Sequence, residues 1–370
     1  MGMKVKIAKS ELLDAVAWVS KALTKEDSRP ALKFLRLLPN PHNGIMTVHV
    51  TDLEIHAIAE VPYYECDEGG EALVPAEKFL AVLRNLPDCL VKIVADSKGV
   101  SVIAIDKGME YELPTTDTEG FPKIPETERE WQIKVEDFGL RKLASATLPS
   151  VAVGGARYAM TGLRMESENG LLRVVATDGR RLTVHEIPAT GEGKGGCVAP
   201  HRAGILMVSV PLAESYVYWD ANSLDIRWGE SRNQFRIVSR LIEGKFPNWQ
   251  AVIPKEKPAT QFRFAGSEFI QAIKQAAVTA EKEEPRLGLI TQAGKVLLQA
   301  AGVGVGASRV YMPAESVEPG IVIHVNPSYL AQALKPAPSD VLVSLYSESK
   351  PIILKSTEDG TYTCLVMPLT

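Results

Sequence analysis

The chain has few cysteines, and none of them is paired by spacing. Cys66, Cys89, Cys197 and Cys364 stand far apart in 370 residues. With no Cys-x-x-Cys and no zinc-type Cys/His spacing, neither a disulfide framework nor a metal site is expected, and the thiols read as buried and reduced. Long hydrophobic runs are also missing. No segment approaches the roughly 20 apolar residues of a membrane span, and the opening MGMKVKIAKSELL lacks the apolar core of a signal peptide. The expectation is a soluble, cytoplasmic protein without a membrane partner. Excess charge of one sign is absent too: 41 basic against 45 acidic side chains leave a net charge of −4. That balance excludes a protein that coats nucleic acid by bulk charge, and it still allows a local basic surface.

The usual catalytic constellations are missing as well. Among His42, His49, His56, His185, His201 and His324 there is no His-Glu-x-x-His, and His185 sits in an alternating strand. No Gly-x-Ser-x-Gly elbow precedes a helix, and no phosphate-binding Gly-x4-Gly-Lys-Ser/Thr occurs. GVGVGAS at 302–308 follows an apolar strand but runs on into RVYMP, whereas a dinucleotide fingerprint must open a helix. It reads as a glycine-rich hairpin turn. Asp52 and Asp178 read as turn residues whose carboxylates accept backbone N–H bonds. No cofactor is called for.

What is present is an internal repeat. TVHVTDLEIHAIAEVP, RVVATDGRRLTVHEIP and LLQAAGVGVGASRVYMP end at Pro62, Pro188 and Pro313, 126 and 125 residues apart. The segments that follow, ALVPAEKFLAVLRNLP, CVAPHRAGILMVSVP and IHVNPSYLAQALKP, align Pro75, Pro200 and Asn326 at 125 and 126. Three further segments open the units. Ser10 caps a helix with Leu12, Leu13, Val16, Val19 and Leu23 on one face. Phe138, Leu143 and Thr147 form a weaker stripe, and Ser267 caps Phe269, Ile270, Ile273 and Ala277. Turn signals at Asn169-Gly170 and Asp178-Gly179 favour antiparallel hairpins. Each unit therefore reads as two helices on antiparallel sheet, an α+β layer. Pro- and charge-rich linkers near 125–132 and 254–261 set the expected domains at 1–128, 129–255 and 256–370.

The order of these motifs, with ATDGRRL in the second unit, LIEGKFPNWQAVIP closing it and YTCLVMPLT at the end, strongly resembles the bacterial DNA polymerase III β subunits, the sliding clamps, over essentially the whole chain. The resemblance implies a non-catalytic processivity factor of DNA replication. It further implies a head-to-tail homodimer whose six similar domains form a ring around double-stranded DNA, contacted without sequence preference. Three repeats per chain are too many for a trimeric ring of six domains.

The resemblance also implies a cleft that takes short peptides of the DNA polymerase III α subunit, the clamp loader, other polymerases and repair proteins. Carried over, it comprises Met160, Thr177, Gly179, Arg180, Arg181, Leu182, Pro247, Val252, Asn326, Tyr329, Met367, Pro368 and Leu369. The family's DNA contacts match Arg29, Arg157 and Tyr158. Basic residues on or beside the helices, namely Lys21, Lys78, Arg84, Arg141, Lys142, His201, Arg202, Lys274 and Lys335, are candidates for an inner DNA face. Tyr111 and Leu113 on one side, with Val278 and Thr279 on the other, correspond to the dimer contact. Ala251, Pro285 and the terminal Thr370 depart from the family pattern. The alternative class is an enzyme that uses the inter-domain cleft for a small phosphorylated ligand.

Overall fold

In the strand Met3–Ala8 every second side chain is buried, and the same alternation recurs in Val100–Ala104 and Ser215–Trp219. Period-two burial of this kind makes sheets with one face on a core. The computed structural model describes residues 2–23, 30–125, 132–154, 158–191, 193, 195–229, 234–315, 317–335, 340–357 and 361–369. The chain forms two compact units, Met1–Arg141 with Ala189–Leu241, and Lys142–Pro188 with Ile242–Thr370.

In the first unit one sheet runs in the order Glu65–Gly69, Met3–Ala8, Leu90–Ala95, Val100–Ala104, Met109–Leu113. A second runs Ile133–Val135, Ser215–Trp219, Ser223–Trp228, Gln234–Arg240, Ile55–Pro62, Ile45–Thr51, Phe34–Asn40, Ala72–Pro75. Its middle joins two sequence repeats, because Ile237 pairs with Ala57 and Gln234 with Glu60 in antiparallel register.

In the second unit the strand order is Gly162–Glu168, Leu171–Thr177, Arg181–Pro188, Tyr362–Val366, Ile352–Ser356, Asp340–Leu345, Thr260–Ala265. Here the join is between Arg181–Pro188 and the C-terminal strand, with Leu182 opposite Leu365. The remaining sheet is Gly306–Pro313, Lys295–Gly302, Leu287–Gln292, Val322–Val325. GVGVG is thus the turn of an antiparallel hairpin, with Gly302 opposite Gly306.

Six α-helices occur among the described residues: α1 (Lys9–Val19), α2 (Ala76–Asn85), α3 (Gly139–Thr147), α4 (His201–Val208), α5 (Gly266–Ala276) and α6 (Pro327–Leu334). Each of the three sequence repeats supplies two. In α5, Phe269, Ala272, Ile273 and Ala276 are buried, the i, i+3, i+4, i+7 stripe of a helix resting on a sheet. The result is the three-repeat α+β architecture expected.

Three local readings are corrected. Ser10 and Ser267 are not caps. The N-cap positions are Ala8 and Ala265, neither with a side-chain bond, because each strand passes straight into its helix and leaves the serine inside the first turn. Phe138 does not belong to the buried stripe of α3. It sits before the helix at φ 57° and is 40% exposed, while Thr147 at the far end is buried. Asn326 is a true cap whose side chain accepts from the backbone N–H groups of Ser328 and Tyr329.

Candidate functional site

The turn in ATDGRRL is closed by its own side chains. Thr177 Oγ1 accepts from Gly179 N at 3.1 Å, and Asp178 Oδ1 accepts from the N–H groups of Arg180 at 2.9 Å and Arg181 at 3.0 Å. The first repeat builds the same turn. Thr51 Oγ1 accepts from Leu53 N at 3.0 Å, and Asp52 Oδ1 from Glu54 N at 3.0 Å and Ile55 N at 2.8 Å. Gly179 has φ 84° and its counterpart Leu53 φ 78°, so the left-handed position suits glycine in one copy and strains leucine in the other. Both aspartates are turn holders, as the sequence suggests.

The second aspartate carboxylate oxygen then organises a helix. Asp178 Oδ2 accepts from Arg181 Nε at 3.0 Å, and the far side of that guanidinium donates to Gln332 Oε1 on α6 at 2.6 Å. The guanidinium carbon lies 4.5 Å from the ring centroid of Tyr329, also on α6. Arg180 reaches the same tyrosine and donates to its hydroxyl at 3.4 Å. That bond holds the Arg180 pKa above its ordinary value.

Beside this turn lies an apolar cleft of about 200 Å³, entirely within the second unit. Of the residues expected there, Met160, Thr177, Gly179, Arg181, Leu182, Pro247, Val252 and Met367 line it. Arg180, Asn326, Tyr329, Pro368 and Leu369 do not line the cleft. They stand around it through the bonds just described and through the tail, where Met367 N donates to Arg180 O at 2.8 Å and Leu369 N to His324 O at 2.7 Å. Asn248, Trp249 and Leu365 also line the cleft and were not foreseen. Trp249 and Leu365 are buried, so each reads in the sequence as ordinary core. Arg173 lies 5.5 Å over the Trp249 ring and fixes it from the sheet side.

Beneath the strand pair, Ser150 Oγ and Thr183 Oγ1 are 2.7 Å apart, and Thr183 bonds the Cys364 sulfur. Burial pushes the Cys364 thiol up to about 11, so it stays a neutral thiol. Among the described residues no group of His, Cys, Asp or Glu is placed to hold a metal ion, and no helix is long and apolar enough to cross a membrane.

Three sequence profiles match almost end to end: DNA polymerase III beta subunit N-terminal domain over residues 3–125, central domain over 134–248 and C-terminal domain over 250–370. The chain belongs to the DNA polymerase III beta subunit family. It is 27% identical to the beta sliding clamp of Vibrio cholerae, covering 99% of this chain and 100% of that one. Identity to the Escherichia coli K12 beta sliding clamp is 28% over 76% of each. The solved sliding clamp of Pseudomonas aeruginosa bound to griselimycin superposes with a TM-score of 0.90 at 22% identity over 100% of both chains. That of Bacillus subtilis gives 0.89 at 20% over 100% of both. The chain is accordingly a DNA polymerase processivity clamp and a non-catalytic subunit, and the small-ligand enzyme is not favoured.

In this chain the remaining expected residues fall as follows. Lys78 and Arg84 are exposed on α2, Arg141 and Lys142 on α3, Lys274 on α5, and Lys335 just beyond α6. Lys21 is exposed in a short 3-10 turn, and partial burial lowers its pKa. His201 opens α4, with its pKa lowered chiefly by burial. Tyr158 is 62% exposed. Arg29 and Arg157 lie outside the described residues.

Arg202 stands apart from this basic set. Its guanidinium bonds Asp52 Oδ2 and reaches Glu54 Oε2 at 3.4 Å, so its charge is already matched within the first unit. Tyr111 and Leu113 lie on the edge strand Met109–Leu113, and Val278 is 75% exposed. Thr279 turns inward, its hydroxyl bonding Ala300 O at 3.1 Å and Ser308 Oγ at 3.0 Å.

Proposed function

We propose that two copies of this chain join head to tail into a closed ring around double-stranded DNA, and that the apolar cleft is where its partners are tethered. The polymerase III α subunit, the clamp loader, other polymerases and repair proteins would each insert a short peptide. The observation that carries the cleft assignment is the pairing of Arg181–Pro188 with Tyr362–Val366, which brings the C-terminal Met367 against the turn from another repeat. An apolar floor of Met160, Leu182, Pro247 and Val252 with a rim of two arginines suits a peptide with one or two apolar anchors.

The three repeats, taken as 1–128, 129–255 and 256–370, become six domains in the dimer, and a heterologous contact whose rotation closes makes a ring. The exposed Lys78, Arg84, Arg141, Lys142 and Lys274, with Arg29, Arg157 and Tyr158, supply sequence-independent backbone contact. Arg202 is left out of that set because its partner is Asp52. Tyr111, Leu113 and Val278 supply apolar contact between copies. Thr279 holds the strand Gly306–Pro313 in place from within.

Topology decides the test. Ring protein loaded on nicked circular duplex should remain bound in moderate salt and be lost once the circle is linearised. Contact by charge alone would fall steeply with salt whatever the topology of the DNA. Equal retention on circles and linear fragments would sink the ring.

A further inference from the structure

Two sheet edges in this chain carry opposite charge. The strand Met109–Leu113 ends one sheet of the first unit, and Gly306–Pro313 ends one sheet of the second. Each presents a row of backbone groups with no strand beyond it, which is a template for pairing with another chain. On the first edge Met109, Tyr111 and Leu113 lie opposite Ala104, Val102 and Val100, so they share the core face, while Glu110 and Glu112 point to the other face and are exposed. On the second edge Ser308, Val310 and Met312 lie opposite Ala300, Leu298 and Val296 on the core face. Arg309 and Tyr311 occupy the other face and are exposed. Lys295 joins them there, 4.8 Å over the Tyr311 ring.

Glu110, Glu112 and Arg309 form no ion pair among the described residues. By contrast, at the opposite end of the first sheet the edge strand Glu65–Gly69 has two of its three carboxylates matched in place, Asp67 by Lys4 and Glu65 by Lys6. These unmatched charges lie on edges that also expose apolar side chains, Met109 at 39% and Tyr311 at 53%, and Val278, 75% exposed, sits in the turn Ala277–Thr279 whose Thr279 bonds Ser308 on the second edge.

We infer that Glu110 and Glu112 on one copy and Arg309 on the next are the charge code that selects head-to-tail pairing of this chain with itself. This rests on the ring reading and deepens it by naming what decides orientation and partner. Two Met109–Leu113 edges placed together would oppose four carboxylates, and two Gly306–Pro313 edges would oppose two guanidiniums beside two lysines. Directly opposed like charges on paired strands are destabilising and opposite charges stabilising. Only the mixed pairing matches sign, and it buries Tyr111 and Leu113 against the Val310 and Val278 side at the same time. The same code rejects a clamp chain whose edges carry the reverse charge, a repulsive element of the kind specificity requires.

Two reversed variants of the full chain test this, Glu110→Lys/Glu112→Lys and Arg309→Glu, each followed by sedimentation in low salt. Every variant carries its reversal into both contacts of a ring, so each alone should weaken the dimer by roughly tenfold or more. Mixed one to one, they should form a heterodimer, because both contacts are then matched in sign, and added salt should weaken it. Wild-type protein that is itself monomeric would remove the ring reading. Wild-type dimer with both variants equally dimeric would leave the ring standing and overturn the charge code. Variants that dissociate and fail to recover on mixing would overturn it as well. Normal circular dichroism and melting of each variant separate a lost contact from a lost fold.

Discussion

The guanidinium of Arg181 lies 4.5 Å over the ring of Tyr329 while it binds Asp178 on one side and Gln332 on the other. One side chain thus ties the hairpin turn to α6 and lines the cleft. The first unit achieves the same link with the parts exchanged: there the arginine, Arg202, comes from α4 and reaches Asp52 in the hairpin turn. In both units the turn aspartate is held by its own backbone on one oxygen and grips a neighbouring helix through an arginine on the other.

Replacing Arg181 with Ala should lower affinity for a clamp-binding peptide by about tenfold, the equivalent of one stacked cation and its bonds. Lysine should not restore it, because an ammonium cannot bond Asp178 and Gln332 while lying flat on Tyr329. Calorimetric titration of both variants checks this, and wild-type affinity in either would detach Arg181 from the cleft.

Arg202→Ala should act on stability rather than on DNA. Asp52 is 7% exposed, and losing its partner leaves a buried carboxylate matched only by backbone N–H groups, a cost of about 1–3 kcal/mol. Asp52→Asn in the same chain should recover part of that loss. The salt dependence of DNA retention should not change. A clear fall in the salt slope with an unchanged melting temperature would return Arg202 to the DNA face.

Much of this was legible in the sequence because repeats place equal chemistry at equal spacing. Thr51-Asp52 and Thr177-Asp178 are one turn written twice, and the prolines at 62, 188 and 313 mark the ends of equivalent hairpins. What escaped depends on contacts between distant segments. Arg202 looks like any basic residue on a helix, and its partner is 150 residues away. The middle repeat divides its strands between two compact units, Gln234–Arg240 joining one and Arg181–Pro188 the other, which no local pattern announces. Ser10 and Ser267 misled because a strand that runs directly into a helix needs no side-chain cap, whereas Asn326, placed before Pro327, does cap. Trp249 and Leu365 were missed in the cleft because a side chain can be buried and line a pocket wall at once.

A pair of histidines makes the first unit acid-sensitive. His49 Nε2 and His56 Nδ1 are 3.1 Å apart, with Phe121 packed edge-on against His49. Burial, then His56 and Arg36, hold the His49 pKa down to about 3. Burial also lowers that of His56, opposed by Asp52 and aided by Arg236 and Arg240. Both rings are neutral in the folded chain and take up protons more readily when unfolded. Their contribution is therefore complete above the unfolded value of about 6.5 and is lost as pH falls below it, for His49 down to about 3, by about 1.4 kcal/mol per pH unit for each proton taken up. Denaturant melts at pH 7 and pH 5 should show that loss, and His49→Gln should flatten it. An equal slope in both proteins would exclude the pair as its source.

A charge at Leu113 should separate the copies. This side chain lies on the core face of the edge strand opposite Val100, where a partner strand would enclose it. Leu113→Asp would place a carboxylate in that enclosed position and should yield monomers by sedimentation. An unchanged dimer would mean that another edge closes the ring.

Removing Met367 to Thr370 isolates the cleft from every other surface. The strand Tyr362–Val366 remains paired to Arg181–Pro188, so the sheet is kept, while Met367 leaves the cleft wall and the bonds to Arg180 O and His324 O disappear. Each leucine or phenylalanine anchor of a bound peptide contributes roughly 1.5–3 kcal/mol by leaving water, and two anchors reach micromolar affinity after the cost of ordering the peptide. With one wall gone, an anchor stays partly wet and that margin vanishes. Fluorescence titration with a peptide of the Gln-x-x-Leu-Phe type should therefore show binding lost, while sedimentation still finds the dimer and circular DNA still retains it. Undiminished peptide binding by the truncated chain would place the tether elsewhere, and loss of the dimer together with the peptide would show that the tail supports the fold rather than the cleft.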